Sequence, residues 1–343
     1  MKRALICPYR YDDFDTDWLV RMQWIANALE EVGYETYKHS DFKNHFDGTR
    51  LHSTEIKYDV AIYNHCDYYE SLREDFSPEV ETRWFFKPTV PDLNQSTLDE
   101  LGYGSFSSIT YDRPDYENVP AVNVDHFFNT KVKHWKENLS SKWGAKHFHE
   151  GDIPHRNFYL VVGQCSGDSV VTRQDFGGYF DKLCAVVEEL SKVTTDKIIV
   201  KLHPYTNGPM HKKNNPDIKT PLKQRIQSIS NNVIVYDDFT SIHAFLPHCK
   251  CVVVGNSGAG FEAMMYDKPI ISFCHPEYHW VTYDLRKLVE INRAVDLSWY
   301  NRESNRKFLY WYMEEYCFFD QASAIDRVRE LSFETIEYKT YFL

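Results

Sequence analysis

Three short stretches place charged, amide and hydroxyl side chains beside glycine directly after an apolar run. In NFYLVVGQCSGDSVV, the residues Gln164, Ser166, Asp168 and Ser169 follow the run, with Gly163 and Gly167 permitting tight backbone turns. A carboxylate held at a strand end can serve as nucleophile or general base at a sugar carbon. The same Asp168 also suits an ordinary surface turn. In DKIIVKLHPYTNG, Lys201 and His203 alternate with Leu202, so they share one side of an extended chain that Pro204 then ends. Lysine as a point charge and histidine as a donor suit a monophosphate or diphosphate. A histidine packed at a sheet edge is the competing reading. In VVVGNSGAGFEAMMYDKPIISF, the residues Asn256, Ser257 and Gly258 open a helix whose first turn offers unpaired N–H groups to an anion. Glu262, a turn or so further on, is placed to accept ribose hydroxyls, as acidic residues do in other nucleotide folds. It equally suits a capping box with a serine N-cap.

Other chemistries lack their signatures. GNSGA misses the last glycine of a GxSxG nucleophile elbow, and no Walker phosphate loop is present. His243, His248, His275 and His279 fall on separate elements without HExxH spacing, so no metal site is expected, and no cofactor besides the substrate itself. The eight cysteines lie mostly in apolar runs and form no CxxC, the habit of a reduced cytoplasmic protein.

The elements that must carry these loops are legible. ALICPY reads as a strand, followed by a helix with Leu19, Met22, Ile25, Ala26 and Leu29 on one face; YDVAIYNHC and WFFKPTV read as further strands. Residues 38–56 give little signal. From residue 157 onward, apolar strands alternate with helices, which predicts βα units in a parallel sheet, where ligands bind at the carboxyl ends of the strands. The polar, Gly- and Pro-broken stretch 139–156 marks a domain boundary. The 343 residues are therefore expected to form an α/β domain over 1–150, a Rossmann-like domain over 151–300 and a helical tail over 301–343. Residues 1–150 hold 17 basic and 26 acidic side chains, a net −9, and residues 151–343 hold 22 and 24, a net −2. A face that grips nucleic acid or anionic lipid needs the opposite balance. No apolar run is long enough to span a membrane.

Taken in order, the three stretches resemble the bacterial capsule polysaccharide synthesis and export family, the Kdo transferase group. FYLVVGQCSGDSVV is similar to the family's strand followed by Q-x-x-x-D, and IIVKLHPYTNG to its V-K-x-H-P strand end. VVVGNSGAGFEAMMYDKPIISFCHPEYHWVT resembles its S-x-x-G-F-E-A signature and the segment beyond it, with His275 and Glu277 where the family carries glycine and phenylalanine, departures that bear on the donor pocket. Upstream, LGYGSFSSITYD resembles a stretch ending in S-L-x-x-D, which matches Ser108 and Asp112. The family's E-D-G-F has no counterpart, Asp92 being the nearest carboxylate.

The resemblance implies a GT-B-like fold: two Rossmann-like domains facing a cleft, with C-terminal helices crossing back to the first. It implies a metal-independent glycosyltransferase using a nucleotide-sugar donor of CMP-Kdo type and a saccharide or glycolipid acceptor. Asp168 would be the catalytic carboxylate, assisted by Gln164. Lys201, His203, Asn256, Ser257, Gly258 and Glu262 would bind the donor, and Asp92, Ser108 and Asp112 would lie on the acceptor side. The expected place is the cytoplasm, peripheral to the inner membrane. Two alternatives remain at this level: a phage-type DNA-base glycosyltransferase using a UDP-sugar, which the acidic first half disfavours, and a non-catalytic nucleotide-sugar-binding protein.

Overall fold

The computed structural model describes residues 2–7, 16–39, 46–64, 79–91, 94–139, 153–165, 168–172, 178–207 and 217–333. Its strands are β1 (Lys2–Ile6), β2 (Tyr34–Lys38), β3 (Arg50–Leu51), β4 (Tyr58–Asn64), β5 (Val80–Pro88), β6 (Ser96–Asp99), β7 (Phe158–Val162), β8 (Ile198–Lys201), β9 (Val233–Tyr236), β10 (Cys249–Val254), β11 (Ile270–Ser272) and β12 (Tyr283–Asp284). The helices used below are α1 (Thr16–Glu31), α2 (Ala121–Phe127), α3 (Tyr179–Val193), α4 (Lys219–Gln227), α5 (Ala259–Met265), α6 (Arg302–Trp311) and α7 (Gln321–Phe333).

The chain forms two compact units. The first comprises Met1–Thr89, Leu93–Arg113 and Trp311–Leu343. Its sheet runs β3-β2-β1-β4-β5-β6, parallel except for β6, which pairs antiparallel with β5. Helix α1 buries Met22, Ile25, Ala26 and Leu29, the face its periodicity predicts, and Gly33 beyond its end takes a left-handed φ of 97°. Those side chains share a core with Ile6, Ile62, Phe86, Phe318, Ala324, Val328 and Leu331, so the C-terminal α7 does return to the first sheet. Buried Arg327 fixes that return, donating from Nε to the Leu98 carbonyl at 2.9 Å with its guanidinium over the Tyr316 ring.

The second unit comprises Val90–Asp92 and Pro114–Tyr310. Its sheet, β12-β11-β10-β7-β8-β9, is parallel throughout. Every residue of β7 and β8 is buried, as expected for strands covered on both faces, which is why β7 and the first three residues of β8 read as apolar runs. From β7 the chain proceeds outward to β8 and β9, then returns to the other side of β7 for β10, β11 and β12. The order reverses between β7 and β10. In open α/β sheets the crevice at such a switch point, beyond the carboxyl ends of the strands, is where ligands bind.

The unit boundaries differ from those read off the sequence. Residues 114–139 belong with the second unit, and the tail divides at residue 310. Aromatic packing accounts for this: Tyr116 meets Phe308 edge-on at 5.2 Å, Phe127 of α2 meets Tyr310 at 5.6 Å, and the Arg306 guanidinium lies 4.3 Å from the Phe128 ring centre. These contacts outweigh the polar composition that suggested a break at 150. Phe308, Tyr312, Tyr316 and Phe318 of the C-terminal aromatic run are buried.

Candidate functional site

At the switch point, backbone geometry brings the ends of β7 and β10 together through two amides. The Gln164 amide donates from Nε2 to Asn256 Oδ1 at 2.8 Å, and Gln164 Oε1 accepts from the Asn256 backbone N–H at 3.1 Å. Asn256 Nδ2 then donates to the Val170 carbonyl at 2.6 Å. Both side chains are buried, so these bonds satisfy groups that water cannot reach. Gly255 makes the approach feasible: a Cβ there would stand 2.8 Å from Gln164 Oε1 and 3.0 Å from Tyr179 Cε2. The Tyr179 hydroxyl, at the start of α3, accepts from the Gln164 backbone N–H at 3.1 Å.

This bracket fixes Asp168. Its carbonyl accepts from the Val171 N–H at 3.0 Å and its Oδ1 from the Val170 N–H at 3.3 Å, so Asp168 caps the short helix Ser169–Thr172. The half-buried carboxylate therefore sits on a turn tied to β10 through Val170 and Asn256. Gln164 and Asn256 thus join the two strand ends through their side-chain amides. Ser166 and Gly167 lie outside the described residues.

Lys201, the last residue of β8, is buried, with Nζ donating to the carbonyls of Asp238 at 2.7 Å and Leu202 at 3.2 Å. Burial pulls its ammonium down to about 8. An ammonium has three donors, so the carbonyls leave capacity for an anion. His203 Nδ1 accepts from the Tyr205 N–H at 3.1 Å, which places the proton of a neutral ring on Nε2, the donor a phosphate needs.

The third stretch folds over itself. Ser257 Oγ accepts from the Ala259 N–H at 3.2 Å, and the Tyr278 hydroxyl donates to the Ser257 carbonyl at 2.5 Å. A Cβ on Gly260 would stand 2.3 Å from Tyr278 Cζ. That contact explains why glycine precedes Phe261-Glu262 in a chain that carries a tyrosine at 278. Gly258 also meets Val90 closely, at 2.7 Å from a notional Cβ. Helix α5 is only seven residues long, so its dipole is a small contribution and the side chains must supply most of the charge.

Glu262 does not complete a capping box. It is buried, with Oε1 3.8 Å from His243 Nε2, while His243 Nδ1 lies 3.0 Å from the Tyr266 hydroxyl. Burial raises its carboxyl from 4.5 to about 8. Between those values the folded protein holds a proton that the unfolded chain has released. This contribution to stability is complete below the lower value and is lost as pH rises through the upper one. Glu262→Gln is expected to melt with wild type at pH 5 and later than wild type at pH 9. A difference in melting temperature that stays constant across that range contradicts the assignment.

Of the acceptor-side candidates, Asp92 lies outside the described residues. Ser108 and Asp112 belong to the first unit, where Ser108 Oγ donates to Asp99 Oδ2 at 2.6 Å and exposed Asp112 follows the turn Ser108–Tyr111. Asp99, which the sequence reading passed over, is the hub there: it also accepts from the N–H groups of Leu101 at 2.7 Å and Gly102 at 2.9 Å and from the Tyr316 hydroxyl at 2.7 Å. Ser108 is thus a structural partner of a buried carboxylate. Among the described residues, no three His, Cys, Asp or Glu side chains cluster closely enough to hold a metal ion, and no helix is long and apolar enough to cross a membrane.

Residues 93–307 match the sequence profile of the capsule polysaccharide biosynthesis proteins. Among solved structures, the fold is similar to a beta Kdo 2,4 transferase, KpsC of Thermosulfurimonas dismutans, at a TM-score of 0.54 and 16% identity, covering 94% of each chain. A beta Kdo 2,7 transferase, KpsC of the same organism, aligns at a TM-score of 0.49 and 13% identity, covering 97% of this chain and 100% of that one. No curated protein matches in sequence. The likeness is one of fold: two α/β units with parallel sheets, as the motifs imply.

Proposed function

As the chain belongs to the capsule polysaccharide biosynthesis protein family, we propose that it is a glycosyltransferase moving a sugar from a nucleotide-sugar donor to a saccharide or glycolipid acceptor. The observation that carries this reading is the Gln164–Asn256–Val170 bracket, which holds Asp168 at the topological switch point of the second sheet. Lys201, His203 and Ser257 end or follow strands of that same sheet, and Glu262 lies on the helix that begins there.

The chemistry is consistent with metal-independent transfer. A sugar leaves with its electrons on phosphate, so the site must neutralise a developing anion. The Lys201 ammonium and the Nε2–H of His203 are suited to that task. Asp168 is the carboxylate that meets the anomeric carbon as the phosphate departs, in the manner of a retaining glycosidase. Glu262, neutral near pH 7, can accept or donate to a ribose hydroxyl without placing a second negative charge beside the phosphate. The fold similarity to a Kdo transferase supports a donor of CMP-Kdo type. The acidic balance of residues 1–150 supports an uncharged saccharide or glycolipid acceptor over DNA. Work in the cytoplasm, at the inner face of the membrane, fits such an acceptor.

The test is a thermal-shift panel of CMP, UDP, GDP and ADP, followed by transfer assays with CMP-Kdo and UDP-sugars. A ligand that binds only the native state raises the melting temperature, by an amount that grows with concentration. One nucleotide, expected to be CMP, should raise it, and the corresponding sugar donor should turn over. No shift with any nucleotide at millimolar concentration would end the donor-site reading. A shift without turnover would leave a binding protein rather than an enzyme.

A further inference from the structure

The turn after β11 carries a histidine–carboxylate pair that the proposed reaction has not yet used. Strand β11 pairs with β10 so that Ser272 stands opposite Val254, and the Phe273 N–H donates to the Val254 carbonyl at 3.0 Å. The chain then emerges beside the end of β10: Cys274 Sγ lies 3.3 Å from where a Cβ on Gly255 would stand, and the Tyr278 hydroxyl donates to the Ser257 carbonyl. His275 falls between these two residues on the loop beyond the carboxyl end of β11, so it borders the same strand-end site.

Its geometry is enforced. His275 adopts a φ of 47°, a left-handed backbone that costs any residue with a Cβ. Its Nδ1 lies 2.7 Å from Asp284 Oδ2 on β12, and its ring lies 3.9 Å, centre to centre, from that of buried His279. Burial pushes His279 down to about 4, so it serves as a neutral platform. Burial works to raise Asp284, but bonds from His275 and Ser272 and the charge of Arg286 outweigh it and hold the carboxyl below its usual value. An ionised Asp284 only accepts, so His275 Nδ1 carries the proton. With Nδ1 turned inward and 33% of the side chain exposed, the ring's open edge is Nε2, which in the neutral ring keeps its lone pair.

We propose that His275 is a specificity-determining residue of the donor site, its Nε2 accepting a hydrogen bond from a hydroxyl of the transferred sugar. The inference rests on the nucleotide-sugar reading above and deepens it. Asp284 acts through His275, fixing the tautomer that makes Nε2 an acceptor. A site built around such a bond discriminates against sugars that lack the hydroxyl.

The experiment is calorimetric titration of wild type, His275→Gly and His275→Gln with two probe pairs: CMP against CMP-Kdo, and UDP against UDP-N-acetylglucosamine. Glycine fits the left-handed backbone, and glutamine retains an acceptor, so both variants are expected to melt as folded proteins. His275→Gly should weaken binding of the sugar-bearing member by about tenfold, the loss of one net hydrogen bond, while the bare nucleotide binds as before. His275→Gln should recover part of the loss. Equal weakening of both members, or no weakening of either, overturns the assignment. Wild type that binds neither pair overturns the nucleotide-sugar reading itself, and the role of His275 with it.

Discussion

Sugar transfer by Asp168→Asn is expected to fall by about a thousandfold, while the melting temperature stays within about 2 °C of wild type. The separation of these two effects follows from the local bonding. Asp168 caps its turn with Oδ1, which accepts from the Val170 N–H, and with its backbone carbonyl, which accepts from the Val171 N–H. An asparagine side-chain oxygen accepts in the same way, and asparagine ranks with aspartate as an N-cap. What the substitution removes is the negative charge. A neutral amide can neither bond covalently to the anomeric carbon nor stabilise the positive charge that develops there as the phosphate leaves. Nucleotide binding should survive, because the groups read as meeting the phosphate and ribose lie on other loops. Measured kcat, donor Kd and melting temperature of the variant decide the matter. Unchanged kcat removes Asp168 from the chemistry. A loss of kcat accompanied by a large fall in melting temperature makes Asp168 a structural cap instead.

The second sheet was largely legible because its central strands are buried on both faces. Such strands are mainly apolar, and the polar residues at their ends stand out. The first sheet was harder. Tyr34–Lys38 and Ser96–Asp99 contain few aliphatic side chains, yet they are strands. Strand β6 is buried throughout although three of its four residues are polar, and its Asp99 is satisfied by N–H and hydroxyl donors from Leu101, Gly102, Ser108 and Tyr316. No local pattern announces a carboxylate whose partners lie both next to it and more than two hundred residues away. The C-terminal return of α7 was legible as a resemblance, whereas the division of the tail at residue 310 depends on aromatic contacts between distant segments.

The site shows the same contrast. Spacing identified the residues at the strand ends but not how roles divide among them. Gln164 and Asn256 look like ligand contacts in sequence, and the bonds that join their side chains to each other are not visible there. Glu262 looks like a capping partner by spacing, but burial beside His243 gives it a different environment. His275 stands out in sequence as a departure from the family's glycine, but its left-handed backbone and its partner Asp284, nine residues further on, do not. In each case the deciding quantity is desolvation together with the direction of a hydrogen bond, and neither is a property of a short window of sequence.

Asn256→Ala is expected to lower the melting temperature by roughly 10 °C and to abolish most of the activity with it. Removal of the side chain strands two buried groups: the Nε2 donor of Gln164 and the carbonyl of Val170. Each buried group left unpaired costs about 1–3 kcal/mol, and the two belong to one network, so about 4 kcal/mol in total is the appropriate scale. The bond from the Asn256 backbone N–H to Gln164 Oε1 survives, which keeps the loss below that of dismantling the whole bracket. Activity falls further than stability alone requires, because Val170 lies in the turn that holds Asp168 and Asn256 ties that turn to β10. Asn256→Asp separates the two bonds. Aspartate still accepts from Gln164 Nε2 but turns a lone pair toward the Val170 carbonyl, so repulsion replaces the bond that anchors the turn. If the anchor to Val170 matters most, aspartate should fare no better than alanine, and amide exchange at residues 168–172 should accelerate in both variants. A variant that melts within about 2 °C of wild type with normal turnover would show that the bracket does not hold the carboxylate in place.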